Sequence, residues 1–328
     1  MTRVLLAGLG EVGIRAARQL VETDGVEELW IATRSSTGVA STIESLGANA
    51  RRVDWSPGED LPGGLAAVAA ALPGELEVAV ASAAIRAGVP CATATDTSES
   101  IDAIAALDRS AHAAAVTVAT GCGLAPGLAC VLARHAQALF DRVIEVRIAR
   151  CGIAGEASEW SVRAERRTNP AVRRESVWQT GTRFGELVWF PDPIGARDCH
   201  LVTAGGPRLV AALGDVERLT WLLADSSRRR VGLRRNDPDA GWGAIRVEVF
   251  GQRGSGVESV VYGVVDRTAL AAGVVLAAAT ARLAGMAGAS PSVPGVHSLA
   301  AVVEPVEFLA DLAERGVRAA VFEGVPAG

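Results

Sequence analysis

The sequence predicts an α/β protein built around an N-terminal doubly wound parallel sheet, with a second α/β unit carrying a mixed sheet inserted after it and a C-terminal segment returning to the first. Three observations predict this. Short apolar runs alternate with helical patterns through the first third at βαβ spacing. A glycine-rich turn directly follows the first apolar run. After Gly127 the texture changes to alternating apolar and polar residues, and an αβ texture reappears near the end.

In order, Val4 to Ala7 reads as a strand, Val12 to Thr23 as a helix and Leu29 to Thr33 as a second strand. Val39 to Leu46 reads as a helix, and Ala50 to Val53 as a third strand closed by Asp54. The apolar run Leu65 to Leu72 fits strand or helix by periodicity, and the Leu72-Pro73-Gly74 stop favours a buried strand. Glu77 to Ala87 and Ser98 to Ala115 are predicted helices, Cys91 to Thr95 and Val116 to Thr120 strands. This part spans residues 1–127.

The second unit, 128–267, opens with a helix from Leu128 to Leu139 and a strand from Arg142 to Arg150, whose alternation suggests one more exposed sheet face. Trp160 to Trp189 is rich in arginine and tryptophan with few helix signals, Leu213 to Leu223 looks helical, and Ala244 to Phe250 and Ser259 to Val265 read as strands. In the final segment, 268–328, a buried helix from Ala269 to Leu283 precedes a Gly/Ser/Pro stretch from Gly285 to Gly295. A helix from Pro305 to Arg315 and a strand from Arg318 to Phe322 then return to the first sheet.

Composition narrows the function. The 328 residues carry 32 basic and 37 acidic side chains, and every basic one is arginine. Without lysine there is no GxxxxGK[ST] phosphate loop and no Schiff-base amine. A net charge of −5 argues against nucleic acid or an anionic membrane as partner and favours a small molecule. Five cysteines with no CxxC spacing suggest neither a zinc site nor a disulfide framework, and fit a reducing cytoplasm; no histidine has metal-ligand spacing.

Gly8-Leu9-Gly10-Glu11-Val12-Gly13 matches GxGxxG between a first strand and a helix, the context of a Rossmann dinucleotide site. The first glycine permits the turn, the second admits a pyrophosphate and the third lets helix and strand pack. Arg34 stands 34 − 13 = 21 residues past Gly13, where an NAD enzyme presents a carboxylate to the ribose. A guanidinium beside Ser35 and Ser36 suits a 2′-phosphate instead, so the expected cofactor is NADP(H).

Ligands of open parallel sheets sit beyond the C-terminal strand ends. There stand Asp54, Thr95 and Asp96, and the turn Gly121-Cys122-Gly123-Leu124-Ala125-Pro126-Gly127, whose Gly121 and Gly123 let backbone approach a planar ring. Asp96 serves either as a substrate-orienting or proton-exchanging group or as the N-cap of the next helix. Cys122 and the single tyrosine, Tyr262, read as packed residues, and Cys199 and His200 as strand neighbours facing opposite ways.

In GLGEVG, AGVPCATATD and GCGLAPGLACVLA the chain resembles the saccharopine dehydrogenase-like (saccharopine reductase) family, and WFPDPIG and PGVHSLAAVVEPVEFLADLAERGV look like further family segments. The resemblance implies a Rossmann domain with an inserted substrate domain, NAD(P)-linked chemistry at a carbon–nitrogen bond, and a homodimer formed through the inserted sheet. By position it implies cofactor contacts at Gly8, Gly10, Gly13 and Arg34, with Ala71 and Leu72 on the ribose–nicotinamide side and Asp96 near the reacting carbon. Some relatives pair this aspartate with a lysine, which a lysine-free chain cannot do. Substrate carboxylates in the family meet arginine. The matching region offers Arg163, Arg166, Arg167, Arg173, Arg174 and Arg183 among Trp160, Trp178 and Trp189, with Arg163, Arg167, Trp160 and Trp178 the expected substrate contacts.

The sequence therefore points to an NADP(H)-dependent oxidoreductase that reduces an imine or oxidises an amine bearing a carboxylate. A carbonyl reductase on the same scaffold and a non-catalytic NADP(H)-binding sensor are the alternatives.

Overall fold

The structure, a computed structural model, describes residues 2–34, 38–167, 169–182, 184–225, 241–286 and 293–322. Six strands come first, separated by helices except between the third and fourth: β1 (Arg3–Ala7), β2 (Glu28–Ala32), β3 (Ala50–Arg52), β4 (Ala67–Ala70), β5 (Cys91–Thr93) and β6 (Thr117–Thr120). They pair in the order β6-β5-β4-β1-β2-β3, all parallel. β1 and β4 are fully apolar at their centres because helices cover both faces, which is why they read as apolar runs without alternation.

The chain then builds a mixed sheet from β7 (Arg142–Cys151), β8 (Ala171–Arg174), β9 (Val177–Thr180), β10 (Gly185–Trp189), β11 (Ala196–Leu201), β12 (Arg218–Ala224), β13 (Trp242–Arg253) and β14 (Gly256–Arg267). Its spine runs β10-β11-β12-β7-β13-β14, parallel only between β12 and β7. The helix Leu128–Gln137 packs against β13 and buries Leu128, Val131 and Leu132, which belong to the main core shared by both sheets. Ala149, Cys199, Leu201 and Leu222 make a smaller core on another part of the second sheet.

After the helix Thr268–Leu283 the chain re-enters the first sheet as β15 (Gly295–Ser298), parallel to β6, and ends as β16 (Ala320–Phe322) on β14. The expected return to the first sheet thus comes through a strand hidden in the Gly-Val-His-Ser segment, while the terminal strand joins the second sheet. Arg134 donates to the carbonyls of Ala300 and Val303, and the Arg282 and Arg315 guanidiniums both pair with Asp311, fastening the last helices.

Three other expectations change. Residues 213–223 hold most of β12, not a helix: the run Leu219 to Ala224 is flanked by strands on both sides and buried throughout its second half, so it carries no period-2 signal. The helix expected over 98–115 is two, Ser98–Ala105 and Asp108–Ala113. Within the arginine- and tryptophan-rich stretch lies the helix Glu156–Arg167, helped by the Glu159–Arg163 pair one turn apart.

The Thr268–Leu283 helix lies directly on the Glu11–Val21 helix, because Gly273 lets the backbones meet. A Cβ there would stand 2.5 Å from Arg15 Cβ and 2.8 Å from both the Ala16 nitrogen and the Val12 oxygen. Gly273→Leu should therefore destabilise the protein by about 1–3 kcal/mol through overpacking. Chemical denaturation checks this, and an unchanged midpoint would contradict the close approach.

Candidate active site

The glycine turn uses each missing side chain differently. Gly8 has φ +101°, and a Cβ there would overlap the Ala71 carbonyl oxygen at the end of β4. A Cβ on Gly13 would overlap the Gly8 oxygen. Gly10 has nothing within 4 Å of its Cβ position, and the helix that starts after it has no side-chain cap. Gly8 and Gly13 close the turn, while Gly10 leaves an open helix N-terminus of the kind that accepts an anion. Arg34 is exposed just beyond β2, and Arg52 donates to the Thr33 carbonyl beside it at 3.2 Å. Ser35 and Ser36 lie outside the described residues.

A cleft of about 960 Å³ lies beyond the C-terminal ends of β4 and β5. It is lined on one side by Gly10, Glu11, Val12, Ala71, Leu72, Thr95, Asp96 and Gly123, and on the other by Arg150, Cys151 and residues of the Glu156–Arg167 helix. Gly155 meets Glu11 across it, its Cβ position 3.2 Å from Glu11 Cγ. Five expected cofactor residues among those described do not line the cleft: Gly8 and Gly13 close the turn, Arg34 and Asp54 are exposed beyond β2 and β3, and Gly121 is a packing site whose Cβ would stand 2.5 Å from Leu209 Cδ1. Cys122 is fully buried and burial holds its thiol far up, so it is a packed residue. Tyr262 is likewise buried, and Cys199 is buried while His200 on the other face pairs with Asp225.

Asp96 is released from capping duty. Thr97 is the N-cap of the Ser98–Ala105 helix, its hydroxyl accepting from Ser100 N–H at 3.3 Å. Asp96 instead stands half-buried in the cleft wall, with Ser161 lining the same cleft and the Arg150 guanidinium nearby. Burial pushes its carboxyl up, and Arg150 and Ser161 pull it back. Arg150, at the end of β7, donates to Glu165 at 2.6 Å; both are nearly inaccessible. Burial and the Asp96 charge push the Glu165 carboxyl up to about 7 despite Arg150.

A further buried carboxyl, Glu77, lines the same cleft; its Oε1 accepts from Leu72 N–H at 2.9 Å and its Oε2 has no partner. Burial holds it well above the usual carboxylate range, and Asp96 adds to the shift. Arg150, Glu165 and Glu77 are the residues sequence reasoning missed. The one signal was the place of Arg150 at the end of a strand, beyond which ligands of such sheets sit.

The expected arginine clamp is not in the cleft. Arg163 pairs with Glu159 and lies 5.8 Å over the Trp160 ring, Arg167 is exposed, Arg166 pairs with Asp225, and Arg173 approaches Asp215. Arg174 and Trp178 belong to the β8–β9 hairpin, away from the cleft, and Arg183 lies outside the described residues. Of the four expected substrate contacts only Trp160 lines the cleft. The helix folds with its apolar and buried-ion face toward Arg150 and its arginine-rich face toward solvent.

No protein-family model matches the chain, and no curated protein matches it in sequence. Among solved structures it is similar to the saccharopine dehydrogenase (L-Glu forming) of Saccharomyces cerevisiae, at TM-score 0.69 and 12% identity over 98% of this chain and 100% of that one. The chain has that fold. It is also similar to the DAP dehydrogenase of C. glutamicum in complex with DAP, at TM-score 0.54 and 14% identity over 96% and 99% of the two chains. A meso-DAP dehydrogenase variant from Clostridium tetani follows at 0.52 and 11% over 94% and 96%.

Two predictions follow from this geometry. Thr97→Ala should cost about 1 kcal/mol through loss of the cap, whereas Asp96→Asn should not show that loss; equal destabilisation in urea melts would put the cap back on Asp96. A carboxyl held up in the folded state contributes stability that is full below its unfolded value and lost as pH rises through its folded one. Since Glu165, Asp96 and Glu77 are all held up, the melting temperature should fall as pH rises from Glu165's ordinary value of 4.5 through its folded value of about 7, and less steeply in Glu165→Gln. A flat profile in the wild type would contradict the buried carboxyl cluster.

Proposed function

We propose that the protein is an NADP(H)-dependent oxidoreductase acting at a carbon–nitrogen bond, reducing an imine or oxidising an amine. The observation that carries this is the position of Asp96 and Arg150 on the wall of the same cleft that contains the open Gly10 turn. The chain's residues fit a dinucleotide. The Gly10 position leaves room for a pyrophosphate against helix N–H groups with no side-chain cap, and Arg34 is an exposed guanidinium where the spacing puts a 2′-phosphate. When bound, the nicotinamide supplies or accepts the hydride.

The rest falls to the protein. Leu72, held by Glu77, and Ala71 border the ribose–nicotinamide side. Asp96 exchanges a proton with the substrate nitrogen, and its raised proton affinity keeps a carboxyl useful nearer neutral pH. Arg150 cannot give up its proton and acts by orienting Asp96 through its charge. The two sides of the cleft exclude water and hold the reactants together. The saccharopine and DAP dehydrogenases that share the fold act on amino acids by name, which supports the nitrogen chemistry.

Gly10→Val should leave the melting temperature nearly unchanged, since the position is open, yet weaken NADPH binding at least about tenfold by filling the pyrophosphate space. Fluorescence titration reads this, and undiminished binding would remove the cofactor from the turn. Arg34→Asp should reverse the preference for NADPH over NADH in the same titration; an unchanged ratio would reject the 2′-phosphate contact. Turnover is tested by following reduced nicotinamide with panels of amines, and of amine–carbonyl pairs, the carbonyl alone serving as control. Binding without any turnover would reject an enzyme.

A further inference from the structure

The charges lining the cleft have the wrong sign for the carboxylate-bearing substrate that the family resemblance implies. Among the described residues, six carboxyl side chains line it, Glu11, Glu75, Glu77, Asp96, Glu99 and Glu156, of which burial holds Glu77 well above the usual carboxylate range, against one guanidinium, Arg150. That guanidinium is already balanced. It is bonded to Glu165 and lies in the field of Asp96, so its surroundings are net negative before any ligand arrives. Its Nε has no partner, but a substrate carboxylate there would be the third anion around one cation. The arginines at 228–230, 234 and 235 lie outside the described residues.

A second, independent observation points to the ligand. Glu77 is 0% and Thr95 4% exposed, both line the cleft, and Glu77 Oε2 and Thr95 Oγ1 have no hydrogen-bond partner. Buried polar atoms left in this state are costly unless something supplies partners. An ammonium brings up to three donors and the missing positive charge. At the mouth, Trp160 is 64% exposed and its ring already accepts the Arg163 guanidinium at 5.8 Å, the interaction an alkylammonium makes with an indole.

We propose that the substrate end of this cleft recognises a protonated aliphatic amine through Asp96, Glu77, Thr95 and Trp160, and discriminates against a carboxylate on the carbon next to the nitrogen. This narrows the substrate class and rests on the proposed carbon–nitrogen chemistry for the ligand's role as substrate; recognition itself is measurable without turnover.

The test is titration calorimetry on the full chain, with and without NADPH, using three probes: pentylamine, norleucine, which is pentylamine with a carboxylate on that carbon, and hexanoate. Pentylamine should bind at least about tenfold tighter than norleucine, because like charges brought together are strongly disfavoured, and hexanoate should not bind. Asp96→Asn should weaken pentylamine about tenfold, as loss of a charged partner does, and Trp160→Leu, at an exposed position that tolerates change, about threefold. Glu77→Gln, which keeps an oxygen for Leu72 N–H, should also weaken it. NADPH affinity should stay within about twofold in Trp160→Leu, which lies at the mouth away from the cofactor turn.

Norleucine or hexanoate binding as tightly as pentylamine would overturn the proposal. So would pentylamine affinity that is unmoved in folded Asp96→Asn and Trp160→Leu, or no pentylamine binding in either state. Loss of NADPH binding alone would instead count against the cofactor reading and leave the amine result standing.

Discussion

Around Gly8 the backbone of the first turn lies against the carbonyl of Ala71 so closely that no side chain fits between them, and Gly13 closes over Gly8 in the same way. That contact sets the distance between β1, β4 and the first helix. Gly273 repeats the device from the other side, pressing the long helix of residues 268–283 onto the first helix. The result is a helix pinned on both flanks, its N-terminus free only at Gly10. Whatever occupies the cleft meets a surface of backbone N–H groups whose position is fixed by three absent side chains and not by any mobile one.

The opposite wall is built by electrostatics. β7 and the Glu156–Arg167 helix come from the second sheet, and their join at the cleft is the buried Arg150–Glu165 pair. Removing either partner would leave an uncompensated buried charge, an outcome that costs about 3–5 kcal/mol in comparable pairs. The pair therefore keeps the helix, and Ser161 on it, in place against Asp96. On the Gly10 side, Glu77 holds Leu72 in place. A lysine-free chain relies on arginine for its fixed cations, and among the described residues the one arginine lining the cleft holds carboxyl groups together.

Most of the first sheet was legible because parallel strands buried on both faces announce themselves as apolar runs, and because GxGxxG fixes where the first helix starts. β15 was not, since Gly-Val-His-Ser at a sheet edge carries no apolar run and follows a Gly/Ser/Pro stretch. β12 was mistaken for a helix for the opposite reason, its apolar run fitting either period. At the site, Asp96 was found from its place at a strand end, but its freedom depends on Thr97 taking the cap, a one-residue distinction that spacing cannot make. The arginine cluster misled because local density says nothing about which helix face turns inward. Arg150, Glu165 and Glu77 come together from three separate elements, and only the tertiary structure shows that they share one cleft.

The central claim is that the open Gly10 turn and the Asp96–Arg150 wall serve one bound dinucleotide. A crystal structure of the protein grown with NADPH tests it most directly. The account predicts the pyrophosphate against the N–H groups after Gly10, the 2′-phosphate on Arg34, and the nicotinamide ring facing Asp96 between Leu72 and Gly123. A dinucleotide lying elsewhere, or one whose nicotinamide points away from Asp96 and Arg150, would contradict it.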